Sequence, residues 1–163
     1  MTIRDIQVHV DIDSVCSKRV EIAANLAANF NAHLTGVHIR RDFHLPASGV
    51  LSESASAGVI DVYNQVSEDN ESKARATFDR VIAQGSSTVS WRSVKGSLSD
   101  GLAMQARYSD LVVIGQPEPN ENMSLNDGIA DEIIMSAGRP CLLIPYHGEC
   151  VNVGESPPNP LGW

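Results

Sequence analysis

Leu111-Val112-Val113-Ile114-Gly115-Gln116-Pro117-Glu118, followed after nine further residues by Gly128-Ile129, is the stretch on which the fold turns. Four apolar residues in a row read as a short strand covered on both faces, the pattern of a central strand in a parallel sheet. A glycine closing such a strand and a second opening a helix is how α/β proteins bring backbone N–H groups up to a phosphate.

Downstream, Ile129, Ala130, Ile133, Ile134 and Ala137 form one apolar helical stripe, Gly138-Arg139-Pro140 stops it, and Cys141-Leu142-Leu143-Ile144 makes a further strand. Upstream, the same alternation runs back to the start. Ile6 to Val10 alternates apolar and polar residues and ends at Asp11. Asp13 or Ser14 then offers a cap to a helix whose apolar positions are Val20, Ala23, Ala24, Ala27 and Phe30. Asn31 closes that helix, and His33 to Ile39 is the second strand.

Residues 41–57, rich in Ser, Ala, Pro and Gly, read as a loop. A long helix over 58–84 follows, with Val59, Val62, Tyr63 and Val66, then Ala74, Phe78, Val81 and Ile82, on one face. The polar run Ser67 to Ser72 predicts a kink or exposed turn within it. Gly85 ends the helix, and Val89 to Lys95, with Trp91, Arg92 and Lys95, has the composition of an edge strand. Ser97-Leu98-Ser99-Asp100 has capping-box spacing, with Asp in the third helical position. Five strands separated by helices imply a three-layer α/β sandwich around a parallel, doubly wound sheet. One domain over 1–146 is expected, with an extended or disordered tail over 147–163 that carries three prolines and three glycines.

Bulk properties narrow the function classes. With 163 residues, 42% of them hydrophobic and 20% charged, the chain suits a single globular domain. A formal charge of −8 argues against nucleic acid and against an anionic lipid surface as partners. No stretch is apolar and long enough to span a membrane, and the start lacks a signal-peptide core. Three widely spaced cysteines, Cys16, Cys141 and Cys150, suit a reducing compartment, so a cytoplasmic location is expected.

Several pieces together resemble the universal stress protein family. They are Val10-Asp11 ending the first strand, Val37-His38-Ile39 in the second, Ser109 to Gly115, and Gly128 through Pro145. The spacing Gly115-x2-Glu118-x9-Gly128-Ile129 is similar to that family's Gly-x2-Gly-x9-Gly-[Ser/Thr] signature, with Glu118 and Ile129 at the two altered positions. The resemblance covers about residues 3–146 and implies strand order 3-2-1-4-5 in a Rossmann-like sheet of the adenine nucleotide alpha hydrolase kind. It places a ligand crevice between the first and fourth strands. It assigns adenine and ribose contacts to Asp11 and Ile39, and the phosphate end to Gly115, Glu118, Gly128 and Ile129. Members commonly pair through the last strand, so the resemblance also implies a homodimer edge at Cys141, Leu142, Leu143 and Ile144.

The altered positions weaken the phosphate end. From Gln116 to Glu132 the chain carries Glu118, Glu121, Asp127, Asp131 and Glu132, and no Lys or Arg. One carboxylate about 5 Å from one phosphate charge costs roughly 3 kcal/mol at an effective dielectric of ~20. That is on the order of a hundredfold in affinity. The expected function is therefore a non-catalytic, dimeric stress-response or signalling module that does not hold ATP tightly, with an unknown protein partner and no cofactor. The alternative is an adenine-nucleotide-binding protein taking AMP, or ATP with Mg²⁺, with at most slow ATPase activity. A related ATP pyrophosphatase is disfavoured, because Asp11 to Cys16 lacks a Ser/Gly-rich phosphate loop. Ile144 to His147 also resembles the end of a first repeat, as in tandem members of the family.

Other residues have plainer readings. His9, His33 and His38 lack metal-ligand clustering and are expected to pack or face solvent. His147 and Cys150 do not make a metal site. Cys16 stands near a helix start that could lower its pKa, but no base accompanies it, and an inert buried thiol is expected.

Overall fold

The computed structural model describes residues 2–41, 53–83, 88–116 and 129–147, without the side chains of 53–57 and 129. The expected tail from 148 onward lies outside these residues, as do Glu118, Gly128 and the Gly85 helix end.

In chain order the elements are β1 (Asp5–His9), α1 (Cys16–Phe30), β2 (His33–Arg40), α2 (Glu53–Ile82), β3 (Val89–Lys95), α3 (Leu98–Ala106), β4 (Leu111–Gly115), α4 (Ile129–Ser136) and β5 (Cys141–Ile144). They build one parallel sheet in the order β3-β2-β1-β4-β5. Successive strands are thus added on one side of β1 up to β3 and on its other side from β4, which pairs parallel to β1 with Ile6 opposite Leu111 and Val8 opposite Val113. That is a topological switch point, and the carboxyl ends of β1 and β4 part there to leave a crevice.

Period-2 alternation distributes the strand side chains between two cores. On one face Ile6, Val8 and Leu34 pack with Val20, Ala23 and Leu26 of α1 and with Ala74 and Phe78 of α2. On the other, Val37, Ile39, Val112 and Ile114 meet Leu102 and Ala106 of α3, Ile133 of α4 and Ala137 just past its end. Each fully buried Val, Leu or Ile contributes about 1.5–3 kcal/mol relative to exposure. The central strands are covered on both faces, which explains the unbroken apolar run of β4. Gln7 is one polar exception: its amide is buried on the α3 side and donates to the Leu102 carbonyl at 3.2 Å.

Several local expectations need correction. α1 has Val15 at its N-cap with no side-chain cap, so neither Asp13 nor Ser14 does that work. The Asp13 carbonyl accepts the Cys16 N–H instead, at 3.0 Å. The loop expected over 41–57 stops sooner, because α2 already begins at Glu53. α2 also runs unbroken through Ser67 to Ser72. No Gly or Pro interrupts it from Val59 to Ile82, and the polar run is accommodated with Glu68, Asp69 and Ser72 exposed and Ser67, Asn70 and Glu71 half-buried. Val59, Val62 and Val66 do not continue the buried face of Ala74 and Phe78; they are exposed, Val62 at 64%. Phe30, placed on the apolar stripe of α1, is 46% exposed at that helix's last turn.

Other readings hold. Asn31 takes the left-handed conformation at the end of α1 (φ 50°), and its N–H reaches the Ala27 and Ala28 carbonyls. Ser97 caps α3 by accepting the Asp100 N–H at 3.4 Å. β3 is an edge strand, held down where Trp91 packs against Phe78 (5.5 Å between centroids), parallel to His38 (6.2 Å) and under the Arg75 guanidinium (5.4 Å). β5 forms the opposite edge. No helix among the described residues is long and apolar enough to cross a membrane.

Candidate functional site

A cavity of about 440 Å³ opens at the carboxyl ends of β1, β2 and β4. Its floor is apolar, from Ile39, Leu98, Ile114, Ala130 and Ile133. α2 closes one side with Tyr63, Ser67 and Asn70, and Tyr146 borders the cavity beyond β5. The volume falls within the range of small-molecule sites, about 300–1,000 Å³.

The polar centre lies at the end of β1. Asp11 accepts the Asp13 N–H on Oδ1 at 3.1 Å, which is a turn-forming contact. Its Oδ2 lies 2.7 Å from Arg19 Nη2 and 3.4 Å from His9 Nδ1. The Arg19 contact is an ion pair set off the hydrogen-bond direction, since Nη2 has no directed partner among the described residues. Arg19 Nε donates to the His9 carbonyl at 2.8 Å, which ties α1 to the strand end.

Arg19 is 2% exposed. Burial works against its charge, but Asp11 more than offsets this, and the guanidinium stays above its ordinary pKa. Burial would likewise raise Asp11, yet His9, Arg19 and the Asp13 N–H bring it down to about 2. His9 goes the other way: burial pushes it down to about 4, against the pull of Asp11. Asp13 is raised, by burial and then by the neighbouring Asp11 charge. Cys16 is 1% exposed, and burial followed by Asp11 lifts its thiol to about 11, so the helix start does not activate it.

β2 contributes the second polar group. His38 is buried and donates from Nδ1 to the Val10 carbonyl at 2.8 Å, which aligns the ends of β1 and β2. Arg40 and Arg41 follow Ile39 at the cavity rim. Arg40 Nε stands 3.4 Å from Glu71 Oε2 of α2, and the Arg41 carbonyl accepts the Tyr63 hydroxyl at 2.7 Å.

Of the residues picked from sequence, Asp11, Ile39 and Gly115 all line this cavity. Glu118, Gly128 and the Ile129 side chain lie outside the described residues. Cys141, Leu142, Leu143 and Ile144 lie on edge strand β5, with Leu143 39% exposed and Ile144 buried. Arg19, Arg40, Arg41 and the α2 wall were missed. Arg19 had a signal: it falls three residues after Cys16 and four before Ala23, inside the buried stripe of α1. A charge at a buried helical position asks for a partner.

Gly115 has a role that the motif alone does not suggest. A Cβ built there would overlap Arg19 Nη1, so the glycine admits the guanidinium. Among the described residues no group of three or more His, Cys, Asp or Glu side chains could hold a metal ion.

No protein-family model and no curated protein matches the chain. Solved structures do. A universal stress protein in complex with cAMP is similar at 20% identity, over 89% of this chain and 98% of that one, with a TM-score of 0.58. Universal stress protein UspA from Lactobacillus plantarum aligns at 16% identity over 88% and 99%, with a TM-score of 0.69. The universal stress protein from Archaeoglobus fulgidus in complex with dAMP aligns at 19% identity over 88% and 99%, with a TM-score of 0.54. The fold is thus the universal stress protein fold, and the 3-2-1-4-5 order is as the sequence resemblance implied.

Proposed function

We propose that this chain is a non-catalytic binding module of the universal stress protein kind, whose crevice takes an adenine nucleoside or its monophosphate and does not hold ATP tightly. The observation that carries the reading is the cavity at the switch point, floored by Ile39, Ile114 and Ile133, of a size that fits a nucleoside monophosphate. Two proteins of the same fold have structures in complex with cAMP and with dAMP, which supports adenine as the base. ATP is disfavoured by Asp131 and Glu132 in the first turn of α4 and by Glu118, Glu121 and Asp127 before it.

Calorimetric titration with AMP, ADP and ATP plus Mg²⁺ tests this. AMP is expected to bind, with ATP weaker by roughly a hundredfold from charge repulsion. Equal affinity for AMP and ATP would sink the reading, as would silence from all three at millimolar concentration. A Glu118→Gly plus Ile129→Ser double variant is expected to recover ATP binding.

The same reading includes a homodimer through β5. Its support is that β5 is an edge strand of apolar composition with Leu143 39% exposed. Light scattering at micromolar concentration is expected to give twice the 17.5 kDa chain mass, and Leu143→Lys to give the monomer. A monomeric parent protein contradicts the dimer.

A further inference from the structure

The two halves of α2 are held very differently. Phe78 fills the space where a Gly36 Cβ would stand, and Glu71 meets Arg40, the last residue of β2. The helix therefore runs antiparallel to β2, and its turns before Glu71 pass beyond the carboxyl end of the sheet. In the second half Ala74 and Phe78 are buried in the core, with Val81 and Ile82 packed against it. In the first half no side chain from Gly58 to Lys73 is buried.

Local sequence does not make up for this. Gly58 to Ser72 has no Ala, Leu, Met, Lys or Arg, and it carries three valines, an isoleucine, two asparagines and two aspartates, all weak helix formers. Most helical stability in proteins comes from packing an apolar face, which these turns lack. Polar contacts tie them to the strand end: the Tyr63 hydroxyl donates to the Arg41 carbonyl at 2.7 Å, and Glu71 Oε2 stands 3.4 Å from Arg40 Nε. Such contacts, exposed or half-buried, each shift an equilibrium by about fivefold or less. Yet the α2 residues that line the cavity, Tyr63, Val66, Ser67 and Asn70, all belong to this half. The floor residues Ile39, Ile114 and Ile133 are rooted in the opposite core and do not depend on it.

We propose that residues 58–72 of α2 form a gate, a helical wall that unfolds locally while the core stays folded, admits the ligand, and re-forms against it. Few buried contacts beside a cavity are what a low-stability, ligand-ordered unit requires. The gate rests on the cavity being the binding site, as read above, and only the choice of AMP as probe rests on adenine.

Hydrogen exchange by mass spectrometry on the full chain tests it. In the free protein, amides 59–72 are expected to exchange at least a hundredfold faster than amides 75–82. AMP at a hundred times its calorimetric Kd is expected to slow 59–72 by about a hundredfold, the factor for an opening that excludes ligand. Gly58→Ala places a methyl in open space, away from the cavity, and is expected to slow the same amides about fivefold without ligand. Equal protection of both halves in the free protein overturns the gate. So does exchange at 59–72 that bound AMP leaves unchanged, since the wall then opens without releasing ligand. If AMP gives no calorimetric signal the adenine reading fails, and the free protein decides. Fast exchange at 59–72 that Gly58→Ala slows then upholds the gate, and a rate that the substitution leaves unchanged overturns it.

Discussion

Gly115 shows how one residue can be read correctly as a fold marker and incompletely as chemistry. At the end of an apolar strand it pointed to a backbone that approaches phosphate. In the structure its missing Cβ is the space occupied by Arg19 Nη1, and Arg19 in turn holds Asp11. Gly115→Ala is therefore expected to destabilise by about 1–3 kcal/mol, the usual cost of overpacking. In an Arg19→Met background the same change is expected to cost much less, because the overlapping nitrogen is gone. Denaturant melts of the four proteins check this, and equal costs in both backgrounds would refute the contact. Asp11 was legible as a site residue from its place at the end of a strand. Its engagement by Arg19 was not, because a residue eight positions away reaches it only once α1 has folded back over β1.

At the level of elements, legibility followed burial. Strands β1 to β5 and the order of helices could be read because each carries a clear apolar period and a turn signal. The start of α1 could not, since Asp13 and Ser14 have cap chemistry yet Asp13 is drawn into the Asp11 turn. The first half of α2 misled for a different reason. Its valines have helical spacing but project away from both cores, and periodicity alone cannot tell a core stripe from an exposed one. α3 is the case where local chemistry and structure agree: Ser97 satisfies the Asp100 N–H at the helix start. Ser97→Ala is expected to cost about 1 kcal/mol. A thermal melt checks it, and an unchanged midpoint would mean water caps the helix as well as the hydroxyl does.

The molecule as a whole is expected to lose stability on acidification in two stages. His9 is held at about 4 in the folded protein against 6.5 when unfolded, so the unfolded chain binds the extra proton between those values. Stability is complete above about pH 6.5 and falls as pH drops toward 4, by on the order of 3 kcal/mol. Asp11, depressed from 3.8 to about 2, adds a second loss below pH 3.8. Urea unfolding from pH 7 to pH 4 measures the first stage. His9→Gln is expected to flatten it, and an unchanged slope would remove His9 as its source. None of this was visible in the sequence, where His9 is an unremarkable residue in a strand; its shift arises from burial beside Arg19 and Asp11.

The two borders of the sheet also differ in kind. β3 ends the sheet with Arg92 and Lys95, while β5 ends it with Cys141, Leu142, Leu143 and Ile144. Copies that join strand to strand through β5 about a two-fold axis use both apolar borders in one event. What then faces outward on each side is a cationic margin that repels its own kind. Such a sheet can be extended once and no further, which separates a closed pair from a growing filament.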